Sequence, residues 1–279
     1  MKYILLLVFA MAISKCTFSQ NLFSDSNLLP WCIVPFDSQQ RTPEQRIEML
    51  KKMGMKQYAY DWREKNIPTF EREIDLAQQH SIKIEAVWMW FGNETDKIGE
   101  LSKQNEQILS ILEHKKLKTT IWLGFNNDFF SNLTHEEKLT KGVAFLNFFA
   151  KKAKAINCKI AFYNHGDWFG EPENQIEIIK ASKLKDVGIV YSFHHAHHQV
   201  NRFHSMLKNM LPYLVTVNLN GMGDTKIMDI GKGRYEKEMI DMLSSSGYKG
   251  RVGILGHIEE EDVELVLKRN IAGLRNLGF

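Results

Sequence analysis

The sequence predicts a single-domain α/β fold, a closed (β/α)8 TIM barrel in which each of eight parallel strands is followed by a helix. Short runs rich in Val, Ile, Tyr and Phe alternate with longer stretches of helical periodicity. Several of the short runs are apolar on both faces, as parallel strands covered by helices are. No glycine-rich phosphate turn follows the first run, which disfavours an open doubly wound sheet. Strands are predicted at Trp31–Phe36, Gln57–Asp61, Lys83–Trp90, Thr119–Phe125, Lys159–Asn164, Gly188–Phe193, Leu214–Leu219 and Arg251–Leu255.

The helical stretches between these strands begin with recognisable capping residues. Thr42 stands directly before Pro43, an arrangement typical of a helix start. Thr134 is followed by Glu137 three residues later, which is the pattern of a capping box. The last helix is predicted over Glu259–Asn270.

Residues 1–20 are predicted to be a secretory signal peptide, which leaves 21–279 as the mature barrel domain. A charged residue precedes the apolar run Tyr3–Ile13, and small residues suited to a cleavage site follow it. The apolar run is too short to span a bilayer comfortably. Cys16 makes a lipid anchor the alternative, although Lys15 before it fits a lipobox poorly. We therefore expect a secreted or periplasmic protein without a membrane span.

Composition excludes some classes of partner. The net charge is +3, and acidic and basic residues are interspersed without a basic stripe, which argues against nucleic-acid binding. Cys32 and Cys158 fall in the first and fifth predicted strands, on opposite sides of a barrel, so we expect no disulfide between them. The sequence does not indicate an oligomeric state.

The strongest functional signal is a set of polar residues at the ends of the last four predicted strands. In a parallel barrel all such positions lie on one face, so they would share one pocket. Imidazole titrates near neutral pH, and His165 and His195 are therefore predicted as proton donor and acceptor. Glu171 is predicted as a further acid/base or as the group that orients a histidine, with helix capping as its structural alternative. The predicted substrate-binding residues of these strands are His194, Asn218, Asn220 and His257.

Two earlier strands add candidates for sugar binding. Asp61 and Arg63 follow the second strand, where they can hold a hydroxylated substrate or pair with each other. Trp88 and Trp90 have the same parity in the third strand, so both rings can stack on a sugar, with core packing as the alternative. The expected partner is thus a small-molecule carbohydrate.

The chain resembles the sugar phosphate isomerase/epimerase family of xylose-isomerase-like TIM barrels, and in particular a secreted branch common in Bacteroidetes. The resemblance covers nearly the whole mature chain. It is carried by Asn164-His165-Gly166, Phe193-His194-His195-Ala196-His197 and Asn218-Leu219-Asn220-Gly221.

This resemblance implies a divalent metal held by two Glu, an Asp and a His at strand ends, but the chain departs from that pattern. Tyr163, Ser192, Asn218 and Leu255 stand at or near those four positions, and only His195 matches a family histidine. The metal ligands are therefore unknown: the site is either rebuilt from other residues or works without metal.

We expect an extracytoplasmic enzyme that transfers a proton next to the carbonyl of a keto-sugar or glycoside derivative. Isomerisation, epimerisation, elimination and hydration share that step. The alternative is a non-catalytic carbohydrate-binding barrel that has lost the family metal site. A metal-dependent hydrolase on the same barrel is a third possibility, which the missing carboxylates disfavour.

Overall fold

The computed structural model describes residues 21–279, which form eight parallel strands alternating with eight helices. The predicted signal peptide and Cys16 lie outside the described residues. The fold confirms the predicted (β/α)8 barrel. The strands are β1 Leu28–Trp31, β2 Gln57–Tyr60, β3 Lys83–Phe91, β4 Thr120–Phe125, β5 Lys159–Tyr163, β6 Val187–Ser192, β7 Leu214–Leu219 and β8 Arg251–Leu255.

The helices follow the strands in turn, and two of them begin at the predicted caps. Both Thr42 and Thr134 complete capping boxes, with Gln45 and Glu137 as their partners. No helix of the described chain is long and apolar enough to cross a membrane. The helices are α1 Pro43–Lys52, α2 Ile67–Gln79, α3 Lys103–His114, α4 His135–Ala155, α5 Pro172–Ser182, α6 Phe203–Met210, α7 Glu236–Ser245 and α8 Val263–Asn276.

Side chains hold together the seam where the barrel closes. Backbone pairing runs from β1 through β8, β7 and so on to β2, and β1 and β2 then meet. Near the start of β2, the side chain of Gln57 donates to the carbonyls of Ser26 (3.2 Å) and Leu28 (3.3 Å). At the other end, Asp61 accepts hydrogen bonds from the chain that follows β1. Two buried polar side chains therefore replace part of a strand ladder.

The first strand and the last helix differ most from their predicted bounds, because β1 is Leu28–Trp31 and α8 is Val263–Asn276. The first strand was predicted at Trp31–Phe36, but β1 ends at Trp31 because Cys32 adopts a left-handed backbone conformation (φ 59°) that an extended strand cannot continue. The last helix was predicted from Glu259, but α8 begins at Val263. Asp262 provides its cap by accepting a hydrogen bond from the Glu264 amide (2.8 Å).

The inside of the barrel is filled by an inner apolar layer that alternates large and small side chains. Trp31 and Trp122 pack there at a ring distance of 4.9 Å, beside Ala59, Ala86 and Ala161. A second apolar layer separates the strands from the helices. Because the inside is packed, a ligand can bind only at an end of the barrel. Cys32 and Cys158 are both buried free thiols.

Candidate active site

A small cavity lies at the carboxyl ends of the strands and has a volume of about 90 Å³. Four imidazoles, one carboxyl, one guanidinium and several aromatic rings surround it. This mixture of apolar walls and a few convergent polar groups is typical of a ligand site. The lining residues are Trp31, Cys32, Phe36, Asp61, Arg63, Trp88, Tyr163, His165, His194, His195 and His257.

Four histidines from three different strand ends form one contiguous cluster. The ring centroids of His165 and His195 are 4.4 Å apart, and those of His195 and His194 are 4.6 Å apart. His257 continues the row, with its ring 5.0 Å from that of His194. The barrel thus brings together histidines that are up to 92 positions apart in the sequence (257 minus 165).

All four imidazoles are neutral at physiological pH. Burial lowers the pKa of His165 and of His257 to about 4 and that of His194 to about 3. Burial also lowers the pKa of His195 well below its usual value, and the adjacent His194 and His165 lower it further, since neighbouring positive charges repel. The expectation that these histidines titrate near neutral pH is therefore wrong for this site.

One hydrogen bond fixes the tautomer of His194. Its Nδ1 lies 3.1 Å from the backbone carbonyl of Lys226, which can only accept, so Nδ1 carries the hydrogen. In the neutral ring, Nε2 then becomes an acceptor. In the described part of the chain, His165 Nδ1 has no hydrogen-bond partner. The cluster therefore presents uncharged ring nitrogens to a ligand.

Asp61 is the titratable group of the cavity whose pKa lies closest to neutrality. Its side chain is 1% exposed, and Oδ1 accepts hydrogen bonds from the amides of Ile33 (3.3 Å) and Val34 (3.2 Å). Within residues 21–279, Oδ2 has no hydrogen-bond partner. Burial raises the pKa of Asp61 to about 6, although the positive charge of Arg63 opposes the shift. Asp61 is therefore mostly ionised at neutral pH, with one oxygen uncommitted.

Tyr163 places a phenol at the bottom of the cavity. Its oxygen accepts a hydrogen bond from Trp31 Nε1 (3.1 Å), and its ring lies 5.5 Å from that of His195. Burial raises the pKa of Tyr163, so the phenol stays protonated and its hydrogen remains available for donation.

The other wall of the cavity is aromatic. The ring centroids of Trp88 and Trp90 are 5.1 Å apart. The rings of Trp90 and His165 meet edge to face, with their centroids 4.4 Å apart. Gly124 makes room for the pair, because a Cβ there would lie 2.8 Å from Trp90 Cε3 and 3.0 Å from Trp88 Nε1. Arg63 lies over the Trp88 face at 5.6 Å. The two predicted tryptophans thus form a platform beside the imidazoles.

Four predicted residues do not line the cavity. Trp90 packs against two residues that do, Trp88 and His165. Glu171 bonds instead with His198 Nε2 (2.9 Å) and with Arg202, on the outer side of the loops. Asn218 is fully buried inside the barrel, where a Cβ on Gly253 would lie 1.8 Å from its oxygen. Asn220 turns back and donates to the carbonyl of Gly221 (2.8 Å). The sequence pattern indicated that these residues follow strand ends, but it did not indicate the directions of their side chains.

Other contributing residues were missed from the sequence. Cys32 and Phe36 line the cavity, but the over-long first strand hid them as strand residues. Tyr163 was noted only as a missing family glutamate. Lys226 lies in the loop between β7 and α7, and its charge lowers the pKa of all four cluster histidines. No local sequence signal marks such a loop lysine.

The residues present do not fit a divalent metal ion. Nowhere in residues 21–279 do three or more His, Cys, Asp or Glu side chains converge to hold one. His194 Nδ1 is committed to a carbonyl, and Asp61 Oδ1 to two amides. Glu171, which a rebuilt metal site would have used, pairs elsewhere. The positive charges of Arg63 and Lys226 would also repel a cation.

Comparison with solved structures identifies proteins of the same fold. The 3-keto-D-glucoside 4-epimerase YcjR from E. coli has a TM-score of 0.67 at 16% identity, with 90% of this chain and 98% of that chain covered. The IolI protein, solved with a zinc atom, gives 0.67 at 13% identity, covering 90% and 96%. The probable 3-DHS dehydratase AsbF from Bacillus anthracis gives 0.65 at 12% identity, covering 90% and 99%.

The chain therefore has the fold of the xylose-isomerase-like sugar epimerase barrels, as the sequence resemblance predicted. No protein-family model matches the chain, and no curated protein matches it either. At these identities the likeness shows the fold alone, so function has to be argued from the cavity.

Proposed function

We propose that the protein is an extracytoplasmic carbohydrate-active enzyme that moves a proton next to a sugar carbonyl, in an isomerase, epimerase or lyase reaction. The observation that carries this proposal is the Asp61 carboxyl, which lines a cavity of neutral imidazoles with one oxygen unpartnered and a pKa of about 6. Proteins of the same fold support it, since one is a 3-keto-D-glucoside 4-epimerase and another a D-psicose 3-epimerase from Clostridium cellulolyticum H10.

In the proposed reaction, Asp61 is the base. Its Oδ2 takes the proton from the carbon next to the substrate carbonyl, and the electron pair of that C–H bond forms the double bond of an enediolate. Return of the proton by Asp61 to the neighbouring carbon, while a hydroxyl proton passes to the former carbonyl oxygen, gives an isomer. Delivery of a solvent proton to the opposite face of the original carbon, while Asp61 releases its proton to solvent, gives an epimer. Departure of a group from the next carbon gives elimination. A carboxyl with a pKa near the working pH suits both accepting and returning a proton.

The histidines would stabilise the enediolate oxygen as neutral donors. A ring N–H of His165 or His195 can donate to the oxygen as its negative charge develops, and such pre-positioned donors lower the barrier. An imidazole whose pKa is well below neutrality is a poor base at neutral pH, so we assign proton abstraction to Asp61 instead. The protonated phenol of Tyr163 offers a further donor.

The walls suit a single sugar ring. Trp88 lines the cavity and Trp90 packs beside it, so they offer aromatic surface that can stack on the apolar face of a sugar. The signal-like N-terminus supports an extracytoplasmic location, which N-terminal sequencing of the exported protein would test.

Solvent isotope exchange tests the proposal. Protein in D2O would be incubated with D-fructose, D-psicose and a 3-keto-D-glucoside, and deuterium incorporation next to the carbonyl followed by NMR. We expect exchange with at least one of them, lost in Asp61→Asn and slowed in His195→Gln. Exchange that persists undiminished in Asp61→Asn would refute the assignment of the base.

The second candidate is a carbohydrate-binding barrel without catalysis. The absence of the family carboxylates at Tyr163, Ser192, Asn218 and Leu255 favours it, because a binding protein has no need for them. Calorimetric binding of these sugars by a protein that exchanges none of their protons would support the binding barrel over the enzyme.

A further inference from the structure

The mouth of the cavity carries a guanidinium without a counter-ion. Arg63 lines the cavity, with its guanidinium 5.2 Å from the ring centre of Phe36 and 5.6 Å from that of Trp88. Its Nη1 donates to the carbonyl of Trp62 (2.9 Å). Across the described chain, no carboxylate lies within ion-pair distance of it. Most of its N–H donors are therefore available to a ligand.

A continuous row of side chains leads from Arg63 to the backbone of Lys226, which is a second cationic residue. The ring of Phe36 lies 3.6 Å from that of His257, which lies 5.0 Å from that of His194. His194 donates to the backbone carbonyl of Lys226 at 3.1 Å. The positive charges of Arg63 and Lys226 both lower the pKa of His257, in addition to the effect of its burial.

The acidic residues near Lys226 are already paired. Asp224 pairs with Arg234, and Asp229 with Arg269 at 2.6 Å. Among residues 21–279, the ammonium of Lys226 has no ion-pair partner of its own. The second cation, like Arg63, is therefore free to meet a ligand.

The charges of the cavity do not balance without an anion. The four imidazoles are neutral, Asp61 contributes one negative charge when ionised, and Arg63 and Lys226 contribute two positive charges. One positive charge is left over at the mouth, where Arg63 and Lys226 are both exposed, so its attraction for an anion depends on the salt concentration. A carboxylate has the matching single charge, and its planar pair of oxygens suits the guanidinium fork.

We infer that the substrate is a sugar acid, whose carboxylate binds the guanidinium of Arg63 at the His257 end of the cavity, with Lys226 as the second cation. This assignment rests on the proposed function for the reaction, but the binding geometry stands on its own. The carboxylate would orient the sugar with its ring toward the tryptophan platform and its reacting carbon toward Asp61 and the imidazoles.

Calorimetry with a matched pair of probes tests this inference. D-glucuronate and D-glucose differ by a carboxylate at one carbon, and D-glucose 6-phosphate carries a phosphate there instead. We expect D-glucuronate to bind at least about tenfold more tightly than D-glucose at low salt, with the difference shrinking as salt is added. Arg63→Gln and Lys226→Gln should each weaken D-glucuronate binding by about fivefold to tenfold and should weaken D-glucose binding by a smaller factor.

Control variants distinguish a specific carboxylate-binding site from a general effect of positive charge on the binding of anions. Lys232→Gln, in the same loop as Lys226, removes an equal charge and should leave the preference intact, while Arg63→Lys should retain part of it. NMR titration should show the histidine pKa values rising in Lys226→Gln but not in Lys232→Gln. Equal binding of D-glucuronate and D-glucose, tighter binding of D-glucose 6-phosphate, or an unchanged preference in Arg63→Gln would each overturn the inference.

The outcomes also separate this inference from the proposed function. Proton exchange with a neutral keto-sugar, together with equal binding of D-glucuronate and D-glucose, would leave the enzyme assignment standing and remove the sugar acid. Selective binding of D-glucuronate, with no exchange of any uronate or keto-sugar proton, would support the carboxylate site and reject the proposed reaction.

Discussion

Asp61→Asn should stabilise the protein while it abolishes proton transfer. Burial raises the pKa of Asp61 from 3.8 to about 6, so its ionised form is disfavoured in the folded state. This difference corresponds to about 3 kcal/mol at neutral pH. Asparagine keeps an oxygen for the amides of Ile33 and Val34 but carries no charge. Since that oxygen is a weaker acceptor than a carboxylate, we expect a net gain of about 1–3 kcal/mol.

The pH dependence identifies the cause of the gain. A carboxyl whose folded pKa is raised destabilises the fold only where it ionises, so the cost is absent below about pH 4 and complete above about pH 6. At about pH 8, Asp61→Asn should raise the Tm by about 2–10 °C for a chain of this size. At about pH 4 the two proteins should have similar Tm values.

Thermal unfolding followed by circular dichroism from about pH 4 to pH 8 measures this difference. The cluster histidines titrate in both proteins, so their effect cancels when the two curves are subtracted. Ser38→Ala, a change at an exposed position nearby, should show no pH-dependent gain. If Asp61→Asn is less stable than the wild type above about pH 6, the carboxylate has a partner that stabilises its charge, and the reasoning for a free base at Oδ2 is wrong.

The remaining predictions concern the histidines, the aromatic wall and metal. His195→Gln should lower kcat by about 10- to 1000-fold in the exchange assay without moving the pH of half-maximal rate, which Asp61 sets. The control variant His204→Gln, on the exposed side of α6, should not change kcat. The pKa of His194 is lowered to about 3, so this histidine favours the folded state above its ordinary pKa of 6.5 and destabilises the folded state as the pH falls toward 3. His194→Gln should therefore reduce the fall in Tm below about pH 6. Gly124→Ala should weaken sugar binding about tenfold by displacing the Trp90 ring, with little effect on the pH profile. Dialysis against EDTA should leave proton exchange unchanged.

Distinct results would contradict each of these predictions. A shift of the pH profile in His195→Gln would make that histidine the titrating base. An unchanged acid sensitivity in His194→Gln would mean that the ring is accessible to protons in the fold. Full sugar affinity in Gly124→Ala would place the sugar away from the tryptophans. Loss of exchange on chelation, together with one divalent ion per chain in elemental analysis, would indicate a metal site rebuilt from the cluster.

The barrel and the histidine cluster could be predicted because both follow from periodicity and topology. Eight alternating strands and helices leave every strand end on the same face, so His165, His195 and His257 had to share it. The capping patterns at Thr42 and Thr134 were equally local, since a cap depends on residues within one turn.

What could not be predicted depends on burial and on side-chain direction. Nothing in the neighbours of Cys32 indicates its left-handed backbone, which ends β1 and turns the following loop into a cavity wall. Glu171 could have faced the cavity, but His198 and Arg202 hold it outside. The low pKa values of the histidines result from contacts between loops that are far apart in sequence, so the sequence alone suggests ordinary imidazoles.

The missing carboxylates and the low histidine pKa values have one physical origin. A site with several ionised carboxylates would favour protonated imidazoles or a bound cation. Among residues 21–279, Asp61 is the only carboxyl lining the cavity, and Arg63 and Lys226 add positive charge. Under those charges the imidazoles must stay neutral, which makes them donors for a developing oxyanion rather than carriers of a proton. In the proposed reaction, the proton therefore goes to Asp61, whose pKa burial has brought close to neutrality. Asp61, first noted only as a possible substrate contact, thus becomes the residue on which the chemistry of the cavity depends.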